Sequence, residues 1–413
     1  MKNLAIVGSG IAGLGAAYLL RNDFNITILE SGTFLGGHTN TIDIPLSTGE
    51  KQSVDTGFIV FNEKTYPNLV KLFNELGVEY ADSDMSFALY NTQTNLQWCS
   101  NGLNGLFAQR KNIFSPQHYK FLLEANRFNR TLELDLKHGE VDGAFADYLH
   151  QRKFSDYFIA NYIIPMSAAV WSTPPQKMLN FPAATFARFF VNHGFLSLYS
   201  GLQWKYVVGG SRVYVEKIRS HFKGKVLLNT PVEKIEDLSE GVALSIPTGI
   251  LHFDACLIAT HADQALRMLA QPTVEQKRLL SPFQYEKNIA VLHSDTSVMQ
   301  PLRRTWSSWN FKSGSDKSTV VYYMNKLQRI SGDKDYFVSL NDFQAIAPEK
   351  TYGIFHYEHP LFDSNTEKVQ SELSLLNNSK RLFFSGSYFR YGFHEDAYTS
   401  AILAAEAIKR QVL

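Results

Sequence analysis

The chain has 413 residues, 45% of them apolar, and a formal net charge of +1. That length is enough to bury a sizeable core and suggests two domains. The near balance of charge excludes the basic footprint of a general nucleic-acid binder, and no apolar run approaches the roughly 18 residues that span a bilayer. Cys99 and Cys256 give neither a disulfide framework nor a metal-ligand spacing, which suits a reducing cytoplasm. Met1-Lys2-Asn3 leads directly into the first predicted strand, so no signal peptide is expected. Peripheral contact with the inner membrane face stays compatible with this composition.

The first forty residues carry the strongest pattern. Leu4-Ala5-Ile6-Val7 reads as a buried strand, followed by the turn Gly8-Ser9-Gly10-Ile11-Ala12-Gly13 and a helix through Leu20. A second buried strand, Ile26-Thr27-Ile28-Leu29, ends at Glu30. Strand, glycine turn, helix, strand and acid form the βαβ dinucleotide fingerprint. Gly8 allows the tight turn, Gly10 admits a pyrophosphate close to the backbone, and Gly13 lets the helix pack on the strand. The helix N-terminus offers free N–H groups and a positive dipole end to the phosphates. Glu30 stands where a carboxylate accepts both hydroxyls of an adenosine ribose. A glycine turn alone is weak evidence, but here every flanking element is in place.

Glu30 is followed by Ser31-Gly32-Thr33-Phe34-Leu35-Gly36-Gly37-His38-Thr39-Asn40. In this the sequence resembles the flavin-containing amine oxidase superfamily, which includes monoamine oxidases, protoporphyrinogen oxidase and phytoene desaturases. The resemblance implies that the dinucleotide is FAD. It would be bound by Gly8, Ser9, Gly10, Ala12, Gly13, Glu30, Ser31, Gly36, Gly37, His38 and Thr39. The family usually places Arg after the glycine pair, where this chain has His38.

Residues 54–61 then read as a strand with a glycine break, expected to lie beside the flavin ring. Tyr66-Pro67-Asn68 opens an amphipathic helix through Leu69, Leu72, Phe73 and Leu76, stopped at Gly77. Residues 80–98 alternate as short strands, and 105–195 are largely helical and aromatic-rich. Ile164 through Trp171-Ser172-Thr173-Pro174 leads into Phe181, Phe186, Phe189, Phe190, His193 and Phe195. Core packing accounts for most of these rings; the sharper reading is a pocket wall for a long apolar substrate.

Val207-Val208-Gly209-Gly210-Ser211 precedes a predicted helix over 213–222, and 226–235 reads as paired strand material. The resemblance assigns Val232 to the adenine and makes Thr260, at the end of a strand over 253–260, part of the cofactor site. Further strands are expected at 289–293, 319–324 and 336–340. Amine oxidases usually carry a lysine near the start of such a strand, linked through water to flavin N5. Asn288 takes that place here, with Lys287 one residue out of register. Residues 381–387 form a strand ending at Gly386, and a final helix is expected over 398–410. The family holds the flavin ribityl and ring with this strand–turn–helix. That brings in Gly386, Ser387 (where an acid is usual), His394 and Glu395.

Gly392-Phe393-His394-Glu395-Asp396, with Val54-Asp55-Thr56-Gly57-Phe58 and Trp171-Ser172-Thr173-Pro174, narrows the resemblance. It is similar to the bacterial NAD/FAD-binding branch associated with cyclopropane-fatty-acid-synthase-like methyltransferases. This implies an apolar or lipid substrate and a lipid methyltransferase as partner. The expected class is α/β, with a Rossmann-like FAD domain over 1–62, 203–262 and 372–413. A substrate domain of mixed sheet and helices would take 63–202 and 263–371. The leading chemistry is desaturation or isomerisation of an acyl chain by hydride transfer to the flavin, with His38, Tyr391, His394 and Glu395 as polar groups near the ring. Each histidine also has a plain structural reading, and Glu395 and Asp396 equally suit the cap of the last helix. The alternatives are an amine or amino-acid oxidase, or a non-catalytic flavoprotein beside the methyltransferase. Tyr352, Tyr357 and Tyr391 would supply the aromatic faces an amine requires.

Overall fold

A computed structural model describes residues 1–171, 178–192, 202–314 and 319–413. The apolar run Asn3–Val7 becomes the central strand of a five-stranded sheet. The order is Lys225–Leu227, Asn25–Leu29, Asn3–Val7, Ala255–Ile258, Leu382–Phe384, and every pairing is parallel. Leu4, Ala5, Ile6 and all of Ala255–Ile258 are fully buried, as expected of strands covered on both faces. The sheet thus draws its strands from three distant stretches of chain. The helix Ile11–Leu20 packs against the last helix, His394–Val412. Gly15 permits this contact, since a Cβ there would lie 2.5 Å from the Tyr398 ring.

An antiparallel meander, Lys234–Leu238, Gly241–Ile246 and Gly249–Phe253, is inserted before the fourth strand. The other large element is a seven-stranded sheet in the order Thr351–Leu361, Gln284–His293, Phe337–Leu340, Thr319–Tyr323, Trp309–Ser313, Phe87–Asn91, Leu96–Cys99. Its pairings are antiparallel except Trp309–Ser313 with Phe87–Asn91. A helical layer, including Pro116–His138, Phe145–Gln151 and Ala183–Asn192, covers one side. It is cemented by stacked rings: Phe145 on Phe186 at 3.8 Å and Phe186 on Phe190 at 4.0 Å. Phe181, Phe186, Phe189 and Phe190 are all buried, so core packing explains them. Ser172-Thr173-Pro174, His193 and Phe195 lie outside the described residues.

The α/β expectation is met, and the helix Pro67–Leu76 ends on Gly77 at φ +64° with Leu69, Leu72, Phe73 and Leu76 buried. Three expected elements differ. Residues 226–235 split between the parallel sheet and the meander, because Asn229 at φ +51° and Pro231 interrupt the run. The strand expected over 54–61 sits earlier, at Lys51–Asp55, with a short continuation at Phe61–Asn62. The last helix begins at His394, capped by the Asp396 carboxylate on Phe393 N at 3.0 Å.

Candidate functional site

The site opens at the C-terminal edge of the parallel sheet, where successive strands release their turns together. Gly8, at φ +98°, is pressed against the neighbouring strand: a Cβ would stand 2.7 Å from Ala259 O. At Gly13 a Cβ would fall 2.0 Å from Gly8 O, so the helix meets the turn at bare backbone. Gly10 differs, with nothing within 4 Å of its would-be Cβ, and it leaves the helix N-terminus without a side-chain cap. The Gly36–Gly37 turn folds onto this loop through Gly36 N to Ser9 O at 3.0 Å.

Glu30 accepts from Ser9 N at 2.9 Å, Ser9 Oγ at 2.6 Å and Gly32 N at 2.7 Å, which aims its carboxylate at the glycine turn. Exposed Ser31 lies within 3.3 Å of the same carboxylate. Thr230 N donates to Glu30 O at 2.8 Å, bringing the loop with half-buried Val232 to the Glu30 side. Thr260 follows Ala259, whose N–H bonds Val7 O at 2.8 Å. Gly386 closes the edge near Thr260 O, its N–H held by Ser400 Oγ at 2.9 Å, and Ser387 starts the turn that follows.

Beyond the glycine pair the chain enters a cluster of rings. His38 stacks on Tyr357 at 5.0 Å, with His359 at 5.3 Å and His261 at 6.4 Å. Tyr357 is fixed by Asn40 Nδ2 at 3.0 Å and Thr56 Oγ1 at 2.7 Å. His359 Nδ1 accepts from Asn288 Nδ2 at 2.9 Å, and Asn288 Oδ1 accepts from Asn341 at 2.8 Å. On the other side His394 stacks on Phe58 at 3.8 Å and bonds Thr39 Oγ1 at 3.1 Å. Burial pushes His359 down to about 4 and His394 to about 3. Burial, then the neighbouring imidazoles, holds His38 well below its ordinary value, and burial lowers His261 against the pull of Asp263 and Glu358. All four rings are therefore neutral at pH 7. Each of the four is only partly exposed, so the cluster is half-buried.

The remaining expected residues lie elsewhere. Glu395 accepts from Asn68 N at 3.1 Å and Leu69 N at 2.9 Å, capping the helix Pro67–Leu76. Both of its oxygens accept from the start of that helix, while Glu395 itself lies in the first turn of the last helix. Tyr391 joins an aromatic group with Phe189, at 6.2 Å, rather than the histidines. Lys287 is exposed whereas Asn288 is buried, so the amide and not the ammonium faces inward. The sequence reading missed His261 and His359. His261 directly follows Ala259-Thr260, but His359 sits on Thr351–Leu361, a strand whose pattern is obscured by Gly353 and Pro360 within it. Among the described residues no group of three His, Cys, Asp or Glu side chains is placed to hold a metal.

The open space at Gly10, the uncapped helix start and Glu30 beside them fit the diphosphate and ribose of a dinucleotide. His38 Nε2 is buried with no hydrogen-bond partner among the described residues, which leaves one polar valence in the ring cluster for a ligand. Fold and site together define a dinucleotide-binding α/β protein. The family model described as flavin-containing amine oxidoreductase matches residues 11–299, and the chain belongs to that family. It is thus an FAD-dependent oxidoreductase.

Solved structures with the same fold include a single-site variant of putrescine oxidase, with a TM-score of 0.73 and 14% identity over 99% of both chains. Cyclohexylamine oxidase from Brevibacterium oxydans has a TM-score of 0.70 and 14% identity, covering 99% of this chain and 100% of that one. A CLA-producing fatty acid isomerase from P. acnes has 0.67 and 12%, covering 100% and 99%. No curated protein sequence matches the chain.

Proposed function

We propose that this protein desaturates or isomerises an apolar acyl chain. The reading rests on one observation: Asn288, buried where the family resemblance leads one to expect a lysine, is hydrogen-bonded to His359 beside His38 and His261. FAD, when bound, supplies a two-electron hydride acceptor. The chain's own residues supply the rest. Gly8 to Gly13 and Glu30 hold the cofactor, and the neutral imidazoles offer unprotonated nitrogens close to one another. An unsaturated acyl chain yields hydride most readily next to its double bond, where the developing charge is delocalised. The neighbouring carbon then loses a proton, and its C–H electron pair becomes the new double bond. His38 and His359, neutral at pH 7, each present an unprotonated nitrogen to take that proton, although burial makes both weaker bases than a free imidazole. The electrons leave to oxygen or a quinone in a desaturation and return to the chain in an isomerisation. The fatty acid isomerase among its structural neighbours supports the acyl substrate.

The test is anaerobic mixing of the flavin-loaded protein with unsaturated and methyl-branched fatty acids and phospholipids, following absorbance at about 450 nm, with product analysis. Bleaching or a shifted double bond is the expected result. Rapid reduction by primary or secondary amines, with no change in any lipid, would overturn the proposal.

A further inference from the structure

We infer that the outer face of the helical layer, from Leu103 to Arg130, docks the protein onto an anionic phospholipid surface. Three apolar side chains there project into solvent: Phe114 is 87% exposed, Leu103 74% and Leu123 69%. They belong to one patch. Tyr119 bonds Ile113 O at 3.0 Å and packs on Phe107, and Phe107 N bonds Leu103 O. Leu123 follows Tyr119 one turn along the helix Pro116–His138. That helix is already satisfied on its inner side, where Phe121, Phe128 and Leu132 are buried. The exposed stripe is therefore not left over from core packing.

Within the segment the cations outnumber the acids. Residues 102–130 contain Arg110, Lys111, Lys120, Arg127 and Arg130 against a single acid, Glu124, in a chain of net charge +1. Glu124 is buried and accepts from Ser155, so it faces inward. No carboxylate pairs with Arg110, Lys111, Lys120 or Arg130 among the described residues. Apolar side chains flanked by Arg110, Lys111, Lys120 and Arg130 match a leaflet that presents acyl tails beneath negative headgroups. No described helix is long and apolar enough to cross a membrane, so contact would be from one side. The same helix packs on Ala183–Asn192, whose Phe189 stacks at 4.8 Å on Phe393, next to His394. Docking there would set the outer side of the site's wall against the lipid.

This surface agrees with the acyl-chain proposal but does not rest on it, because vesicle binding is measured without turnover. The experiment is co-sedimentation of the flavin-loaded protein with vesicles of phosphatidylcholine alone or mixed with phosphatidylglycerol. The protein should pellet with the mixed vesicles, and added salt should release it. Replacing Phe114→Ser together with Leu103→Ser should weaken binding about tenfold or more. Each of Lys111→Gln and Lys120→Gln should cost about fivefold. Flavin absorbance and melting temperature should stay unchanged in these surface variants. A wild-type protein that remains in the supernatant, or a double serine variant that binds as before, would overturn the inference. So would a dimer in solution that Phe114→Ser disperses, since the face would then serve self-association.

Discussion

A methyl group at Gly13 would fall 2.0 Å from the Gly8 carbonyl oxygen, whereas one at Gly10 meets nothing within 4 Å. Two glycines of one motif thus answer to different demands, the first to packing within the protein and the second to a ligand. Gly13→Ala should fail to give soluble folded protein. Gly10→Val should fold, because φ −64° suits any residue, with a circular dichroism spectrum like the parent's but no flavin absorbance. A yellow Gly10→Val protein would remove the pyrophosphate from this loop. His359 gives a second residue-scale prediction. Its folded value near 4 lies below the ordinary 6.5, so between those pH values the unfolded chain binds the extra proton. The stability it contributes is present above about pH 6.5 and is lost as pH falls toward 4, by at most about 1.4 kcal/mol per pH unit. The melting-temperature advantage of the parent over His359→Asn should therefore narrow from pH 7.5 to pH 5. An advantage that widens in acid would mean that the ring is charged in the fold.

Among the elements, the helix Pro67–Leu76 depends on the far end of the chain. Pro67 occupies its first turn, Tyr66 supplies no side-chain cap, and Glu395 accepts from both Asn68 N and Leu69 N. This ties the start of that helix to the start of the last one. Glu395→Ala should lower stability by about 1–2 kcal/mol in urea denaturation, as loss of a cap does. Its rate of flavin reduction by substrate should change little. A large drop in that rate with unchanged stability would return Glu395 to the chemistry.

Across the whole molecule, Asp55 joins segments that are far apart in sequence. Its carboxylate accepts from Thr41 Oγ1 at 2.6 Å, Ser211 N at 2.9 Å, Ser211 Oγ at 2.8 Å and Gln328 Nε2 at 2.9 Å. Burial raises it to about 6 even though these hydrogen bonds favour the charged form. Asp55→Ala would strand several buried donors at once and should cost about 3 kcal/mol or more. Equilibrium unfolding will measure this. A cost below about 0.5 kcal/mol would mean that water replaces the carboxylate at little expense.

The βαβ unit was legible in the sequence because each part of it is local. An apolar run, a turn that needs glycine and a helix with small residues at its start leave their marks within thirty residues. The helix Pro67–Leu76 was legible for the same reason, with its apolar spacing and its stop at Gly77. The choice between Lys287 and Asn288 was already poised in the strand's alternation, and the structure settled which of them faces inward. What only the tertiary structure decided is the company each side chain keeps. His38, His261 and His359 come from a turn, a helix start and a sheet edge, and no periodicity links them. Glu395 looked like a residue for its own helix, and a neighbour more than three hundred residues away claims it. Spacing along a chain reports backbone geometry, but a cluster of neutral imidazoles exists only once distant segments of the chain have come together.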